Sequence, residues 1–276
     1  MAKATENSIL NARNIITITT DFGVRDHFVG AMKGVILTIN PEANLLDISH
    51  DVASYSVVDG AFTIAQAYPY FPSETVHLVV VDPGVGGERR PILVQAGRHF
   101  FVGPDNGVFS FIYEREERIT VRHITASHYF LQPVSRTFHG RDVFSPIAAW
   151  LTKGIDASHF GEPISDYRRF TSLNPTIESE QRARGIVLKA DKFGNLITNF
   201  SIAQFPQFVQ PEAPAFALEI KGQQLTHLRK TFEEGVPGEI FAIVGSSGYL
   251  EIVCQGAAAS RALKAGSGDD IVLSFQ

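Results

Sequence analysis

The sequence predicts an α/β protein: an N-terminal α/β domain with a mostly parallel central sheet, and a smaller C-terminal β-barrel domain. Three observations support this prediction. Strand and helix patterns alternate through the first half, the composition becomes polar over residues 171–184, and short strand-like segments separated by Gly and Pro follow. We therefore expect an N-terminal domain over 1–172, a linker over 173–184 and the barrel domain over 185–276.

The N-terminal pattern begins with a β-branched strand, IITITT, and continues with a helical stripe of apolar residues that stops before Pro41. Ser56 and Asp59 resemble a capping box at the start of a second helix. The segment VHLVVV is apolar at nearly every position, as expected of a strand covered on both faces. The predicted elements are strand 15–20, helix 28–39, strand 45–48, helix 57–68, strands 76–81, 91–95 and 99–102, and helix 144–151.

The C-terminal pattern is rich in short strands with turn residues between them, which is typical of a barrel or sandwich. The predicted strands are 185–190, 196–200, 215–220, 239–244, 249–254 and 270–275.

Composition excludes several classes of function. The chain is 44% hydrophobic and 19% charged with 21 Phe, which excludes general disorder. A net charge of −5 argues against a nucleic-acid partner, and the apolar runs are too short for a bilayer span. The single cysteine, Cys254, excludes disulfides within the chain and fits a reducing compartment. With no secretory pattern in MAKATENSIL, we expect a soluble cytoplasmic protein.

Three carboxylates lie at or near the ends of predicted strands: Asp21 and Asp82 follow theirs, and Asp47 is near the end of the strand 45–48. Ligands of parallel α/β sheets bind beyond the carboxyl ends of the strands. An ionised carboxylate such as Asp21 can accept from two ribose hydroxyls, although a turn or helix-capping aspartate is an equally good interpretation.

The segment DPGVGGERR, residues 82–90, is the sharpest local signal. Its glycines allow close approach of the backbone to a ligand, yet no Gly-Lys-Ser/Thr follows, so it is not a Walker phosphate loop. A glycine-rich turn with solvated arginines is the alternative. An aspartate at a strand end with an arginine seven residues later can also bring opposite charges into one pocket.

Other segments carry weaker signals. His139 in SRTFHGRD precedes a helix and can project into a cleft, although a lone histidine is more often structural. The segments DKFGNLITNF and GSSGYLEI combine polar side chains, Gly and an aromatic, which suits a planar polar ligand such as a purine. The sequence does not favour a hydrolytic metal site, because no fixed-spacing signature such as HExxH accompanies the available ligands. Those ligands are Asp21, Asp26, His27, His50, Asp51, His139 and Asp142.

Seven motifs occur in order along almost the whole chain: TTDFG, LLDISHDVASYSVVDGA, VVVDPGVGGERR, GPDNG, TFHGRD, FGNLITN and SSGYLEI. Together they resemble the S-adenosylmethionine (SAM) hydrolases that form adenosine, also called SAM hydroxide adenosyltransferases, which are relatives of the fluorinase and chlorinase. The resemblance implies the two-domain fold above. It also implies a homotrimer with active sites at subunit interfaces, SAM as substrate, adenosine as product and no cofactor or metal.

The resemblance also implies roles for individual residues. The family's catalytic triad matches Asp82, Arg89 and His139, with Arg90 as the adjacent alternative to Arg89. The implied substrate-binding residues are Asp21, Tyr55, Asn106, Asp191, Phe193, Asn195, Ser247, Tyr249 and Glu251.

The related halogenases carry a tyrosine where Asp82 stands and lack the His-Gly of TFHGRD, which favours water over halide as the nucleophile here. We therefore expect hydrolysis of SAM to adenosine and L-methionine by attack of an activated water at C5′. The alternatives are a halide-dependent adenosyltransferase and a nucleoside- or SAM-binding regulatory protein without turnover.

Overall fold

The computed structural model of the protein describes residues 14–170, 173–210 and 214–275, which form a mixed α/β structure with two sheets. The chain divides into two units, residues 1–170 and 171–276. We call these the N-terminal unit and the C-terminal unit and describe each by itself.

The N-terminal unit holds seven strands and four α-helices among its described residues. In chain order they are β1 (Ile15–Thr20), α1 (Phe28–Ile39), β2 (Asn44–Ser49), α2 (Val57–Ala67), β3 (Val76–Val80), β4 (Pro91–Ala96), β5 (His99–Pro104), α3 (Ser110–Arg115), β6 (Ile119–His123), α4 (Ser145–Thr152) and β7 (Pro163–Ile164).

The bounds of β1 and α1 are those predicted, and Ser56 caps α2, since its hydroxyl accepts from the Asp59 amide at 3.3 Å. The Asp59 carboxylate accepts from the Ala53 amide at 2.8 Å, and the Ser56 amide donates to the Ala53 carbonyl at 2.9 Å, so the structure confirms the cap but not the reciprocal contact of a capping box. Helix α1 buries Val29, Met32 and Ile36, the apolar stripe that predicted it. The predicted helix at 144–151 is preceded by one π-helical turn, Gly140–Phe144.

The sheet of this unit has the order β2-β1-β3-β5-β4-β6-β7. Strands β2, β1, β3 and β5 run parallel, whereas β4, β6 and β7 are antiparallel to their neighbours. The prediction of a mostly parallel sheet is therefore wrong for the half that contains β4. The physical reason is the tight turn between Ala96 and His99, since two strands joined so closely pair as an antiparallel hairpin.

The C-terminal unit holds nine strands and one short α-helix among its described residues. They are β8 (Thr176–Ser179), β9 (Arg182–Ala190), β10 (Leu196–Ser201), β11 (Phe216–Ile220), β12 (Gln223–Leu225), β13 (Leu228–Arg229), β14 (Ile240–Val244), β15 (Tyr249–Cys254), α5 (Ala259–Leu263) and β16 (Asp270–Phe275). Their order is β12-β11-β16-β9-β10-β15-β14-β13, with β8 on β9. Closure of this sheet into a barrel stays a prediction.

The predicted linker at 173–184 is wrong over most of its length, because β8 and the start of β9 lie in it and pair antiparallel. All four residues of β8 are exposed, and Glu178 accepts from Arg182 and Arg184 at 2.9 and 3.0 Å. An exposed polar edge strand has the same composition as a linker, so composition alone cannot separate them.

Across the parts of the chain that the structure describes, every helix is too short or too polar to cross a bilayer.

Candidate active site

Adjacent parallel strands place two of the predicted carboxylates at one edge of the N-terminal sheet. Asp21 follows β1 directly, and Asp82 follows β3, which pairs with β1 in parallel. The carboxyl ends of parallel strands meet at the same edge, and this edge is where α/β proteins bind ligands.

Asp82, Arg89 and His139 are brought together at this edge. Arg89 Nε donates to both carboxylate oxygens of Asp82, at 3.0 and 2.9 Å, and Arg89 Nη2 donates to Oδ2 as well. The same Nη2 lies 2.8 Å from Nδ1 of His139. Arg89 therefore bridges the other two residues.

The guanidinium of Arg89 is held in a buried position with one hydrogen-bonding group to spare. The side chains of Arg89 and Asp82 are each 4% exposed, and the guanidinium lies 5.3 Å from the centre of the Phe144 ring. Arg89 Nη1 is buried and has no hydrogen-bond partner among the described residues. A buried donor without a partner carries a free-energy cost, so Nη1 is a place where a ligand or water oxygen would be favoured.

The hydrogen bond from Arg89 fixes the protonation of His139. A guanidinium only donates, so Nδ1 of His139 accepts and the ring proton of the neutral imidazole is on Nε2. Burial and the positive charge of Arg89 lower the pKa of His139, while Asp82 and Asp142 oppose that shift. His139 is therefore a neutral donor through Nε2 at neutral pH.

A close backbone contact joins the loop of Asp82 and Arg89 to the loop of His139. Gly86 has φ +74°, and a Cβ built on it would lie 2.0 Å from the carbonyl oxygen of Arg136. Only glycine avoids both the strained backbone and the overlap. The two loops that carry the three catalytic candidates are thereby held in one arrangement.

The His139 loop is fastened from within by Asp142, whose carboxylate is fully buried. It accepts from the Ser135 amide at 2.8 Å and from the Arg141 guanidinium at 2.6 and 3.0 Å. His139 immediately precedes the π-helical turn, a rare element that is often found at functional sites. From the sequence, Asp142 is a candidate only as a metal ligand, and the glycines of residues 82–90 only as points of close approach to a ligand.

Arg89 and Arg90 have different partners, and this difference distinguishes the two candidates for the arginine of the Asp-Arg-His group. Arg90 donates to Asp105 at 2.9 and 2.7 Å and to the Asp166 carboxylate at 2.8 Å. Arg90 thus secures the segment that contains Asp166, and Arg89 is the arginine that contacts Asp82 and His139.

Three predicted substrate residues of the N-terminal unit lie on the loops around this edge. The Tyr55 amide donates to the Asp21 carboxylate at 2.8 Å, and Tyr55 has the unusual φ of +67°. The Tyr55 ring is 75% exposed, which leaves it available to a ligand. Asn106 donates to the Val81 carbonyl, at the end of β3, at 2.8 Å.

The remaining predicted residues lie on two neighbouring loops of the C-terminal unit. Asp191 accepts from the amide and side chain of Asn195, at 2.8 and 2.9 Å, and from the Phe193 amide at 2.9 Å. These contacts shape the turn between β9 and β10 and leave the Phe193 ring 77% exposed.

Glu251 lies on β15 beside this turn, since Ile197 on β10 pairs with it. Burial raises the pKa of Glu251, the Asp191 carboxylate adds to the rise, and the Ser247 hydroxyl opposes it. Ser247 Oγ is buried but forms no well-aligned hydrogen bond with a described residue. Tyr249 begins β15 and is half-buried. A buried carboxylate next to a hydroxyl that contacts it only weakly is a polar recognition surface that a ligand would complete.

Within the described residues, no three His, Cys, Asp or Glu side chains are grouped so as to hold a metal ion.

Fold and site together define a mixed α/β protein that carries a buried Asp-Arg-His group at the carboxyl edge of its N-terminal sheet. The chain matches the SAM hydroxide adenosyltransferase N-terminal domain over residues 16–161 and the C-terminal domain of the same family over residues 185–272. It belongs to this family.

Similar proteins support the assignment over most of the chain. A protein of Salinispora tropica named (R)-S-adenosyl-L-methionine hydrolase is 34% identical, with 92% of this chain and 95% of that protein covered. A protein of the same name from Methanocaldococcus jannaschii is 37% identical over 67% of this chain and 66% of its own length. A fluorinase of an Actinoplanes species is more distant, at 24% identity over 68% of this chain and 72% of the fluorinase.

Among solved structures, an uncharacterised conserved protein from Thermotoga maritima is similar, with a TM-score of 0.87 and 33% identity. The match covers 94% of this chain and 99% of that one.

Proposed function

We propose that this protein hydrolyses SAM to adenosine and L-methionine by in-line attack of an activated water at C5′. The observation that carries the proposal is the buried Asp82–Arg89–His139 group, with an unused guanidinium donor, in a chain whose relatives are named SAM hydrolases. The more distant similarity to fluorinases fits this proposal, because a fluorinase uses fluoride where the proposed reaction uses water as the nucleophile.

The substrate needs little help to release its leaving group, because methionine departs from a sulfonium centre as a neutral thioether. A new bond forms between the water oxygen and C5′, the C5′–S bond breaks, and its electron pair stays on sulfur. One proton leaves the attacking water. The protein must therefore hold a water in line with the C–S bond and receive that proton.

The three residues have complementary roles in this proposal. Arg89 Nη1 donates to the attacking oxygen and favours its hydroxide character, and His139 Nε2 is a second donor that orients it. Nδ1 of His139 already accepts from Arg89, so the Asp82 carboxylate, with its several acceptor sites, receives the proton.

Substrate binding in this proposal uses both units. Asp21 accepts from the ribose hydroxyls, the exposed rings of Tyr55 and Phe193 flank the ligand, and the remaining polar residues hold adenine and the methionine group. We propose a homotrimer in which the C-terminal residues come from a neighbouring subunit and the nine-stranded sheet forms a barrel domain. The reaction uses no cofactor, since SAM itself is the activated substrate.

Oxygen isotope transfer gives a direct test. The protein is incubated with SAM in ¹⁸O-labelled water, in chloride-free buffer containing EDTA, and the products are quantified by mass spectrometry. Equimolar adenosine and methionine, with the label only in adenosine, are expected. A requirement for added halide would make the protein a halide-dependent adenosyltransferase, and tight adenosine binding without product would make it a binding protein.

Arg89→Lys tests the proposed centre, with Glu88→Gln as the matched control. Lysine keeps the positive charge but cannot hold Asp82 through two nitrogens and donate to His139 as well, so we expect turnover to fall by about 10²–10³. Glu88 lies exposed in the same loop, and its variant is expected to retain turnover. If Arg89→Lys retained as much turnover as Glu88→Gln, Arg89 would have no part in the mechanism.

A further inference from the structure

We propose that His50 is a positioning residue that fixes the Asp21 and Tyr55 loops for substrate binding. His50 ends the LLDISH segment after β2 and does not belong to the Asp82–Arg89–His139 group. Its role in substrate binding rests on the proposed function above, whereas the loop contacts that it makes do not.

The His50 ring is attached to the end of β1. The side chain is 7% exposed, and Nδ1 lies 2.9 Å from the hydroxyl of Thr20, a residue with no exposed surface. The Thr20 hydroxyl oxygen in turn accepts from the Phe22 amide at 3.3 Å. Thr20 and Phe22, which flank Asp21, are therefore both linked to the His50 ring through the Thr20 hydroxyl.

The His50 backbone makes a second connection to the same loop. Its carbonyl accepts from the Gly23 amide at 2.7 Å, and the Val52 amide donates back to the Thr20 carbonyl at 3.4 Å. The loop after β1 and the loop after β2 are thus joined on both sides of Asp21, where the Tyr55 amide meets the carboxylate.

The far side of the ring meets a charged pair. Nε2 of His50 lies 3.0 Å from Asp47 Oδ1, oblique to the direction of a good hydrogen bond, and Lys33 donates to Asp47 Oδ2 at 2.7 Å. A carboxylate only accepts, so the Nε2 that faces Asp47 is the protonated ring nitrogen, and Nδ1 accepts from the Thr20 hydroxyl. The contact with Thr20 is the better aligned of the two and is the one that reaches the Asp21 loop.

These contacts explain why an imidazole is used in a buried position. The ring reaches Thr20 on one edge and Asp47 on the other, and its backbone holds Gly23, so a single residue sets the path of the chain on either side of Asp21. An apolar residue of similar size would fill the space but leave the Thr20 hydroxyl without its acceptor. The Asp21 loop would then be free to adopt other arrangements.

The test separates position from chemistry with two substitutions at His50. His50→Leu removes both ring contacts, whereas the Oδ1 of His50→Asn can take the place of Nδ1 as an acceptor. We expect His50→Leu to raise KM for SAM and Kd for adenosine by about tenfold, as loss of one buried hydrogen bond would, with kcat changed less than threefold. His50→Asn is expected to restore most of the affinity.

Thr20→Val and a distant histidine complete the experiment. Thr20→Val should match His50→Leu, and the double variant should be no weaker than either single variant, because both remove the same contact. His159→Leu, at an exposed site, controls for loss of a histidine. Hydrogen exchange of residues 21–27 and 50–56 should rise in the affected variants even without substrate.

The outcomes distinguish failure of this inference from failure of the proposed function. If the wild-type protein neither binds adenosine nor consumes SAM, the proposed function fails, and the exchange data still test the loop contacts. If the wild type is active and His50→Leu keeps its KM and its exchange rates, His50 has no positioning role. An equal loss of kcat and affinity that Asn does not restore would also overturn the inference.

Discussion

Gly86→Ala tests whether the loop of Arg89 and the loop of His139 depend on the close backbone contact between them. Gly86 has φ +74°, and the added methyl group would lie 2.0 Å from the Arg136 carbonyl oxygen. That oxygen belongs to the backbone, so it cannot rotate away as a flexible side chain would. The loop of Arg89 must move away from the loop of His139.

The size of the effect follows from that distance. Real Cβ contacts lie beyond 3.0 Å, so the loops must separate by about 1 Å. Arg89 Nη2 and His139 Nδ1 are 2.8 Å apart, and a separation of that size would break their hydrogen bond. A misplacement of about 1 Å can lower a rate by about 10²-fold. The left-handed backbone adds about 1–2 kcal/mol of destabilisation, which a stable domain tolerates.

Gly154→Ala is the matched control in the same unit. Gly154 also has a positive φ, +88°, but a Cβ there would meet no atom within 4 Å. Both variants should therefore lose stability in thermal unfolding, whereas only Gly86→Ala should lose about 10²-fold in kcat/KM for SAM. Wild-type kcat/KM in a folded Gly86→Ala protein would refute the argument that this contact aligns the site.

Two further predictions concern buried titratable groups. Burial, with a smaller contribution from His99, holds the pKa of His77 well below its ordinary value of 6.5, so the unfolded chain binds more protons. The free energy of unfolding should therefore fall as the pH drops below about 6.5. The difference in unfolding free energy between pH 7.5 and pH 5, measured by denaturation, should be smaller for His77→Gln than for the wild type. An equal difference would show that the dependence comes from other groups. Burial raises the pKa of Glu251, so its charge opposes folding at pH 8. Glu251→Gln should raise Tm at pH 8 and weaken SAM binding. Glu219→Gln, at an exposed strand position, is the control and should do neither. Unchanged SAM binding in Glu251→Gln would contradict the role of Glu251.

The sequence predicts elements well where one periodic pattern dominates. Helix α1 has a clean apolar stripe with Pro41 beyond it, and β1 is a β-branched run that ends at Asp21, so both sets of bounds are as predicted. The direction of β4 is missed because direction depends on strand pairing, and a compact hairpin overrides the parallel pattern. The polar strand β8 is missed because its side chains bury little apolar surface.

The site is predicted in its residue types but not in its connections. The family resemblance implies that Asp82, Arg89 and His139 act together, and the structure adds that Arg89 is the bridge between the other two. The contact of Gly86 with Arg136 could not be foreseen, because it joins residues far apart in the chain through a backbone atom. The sequence indicates only that residue 86 is a glycine, which is the residue that a positive φ favours.

Arg89 and Arg90 are neighbours in the chain but have different partners, so the number of residues in the glycine-rich loop decides which arginine meets Asp82. Removing one residue between Asp82 and Arg89 would place Arg90 at the position of Arg89, and adding one would place Arg89 at the position of Arg90. Either change would keep both arginines in the chain, yet it would separate Arg89 from His139 and Arg90 from Asp105 in the same step. We therefore expect substitutions to be tolerated at the exposed positions of this loop other than Gly86, and changes in length to fall outside residues 82–90.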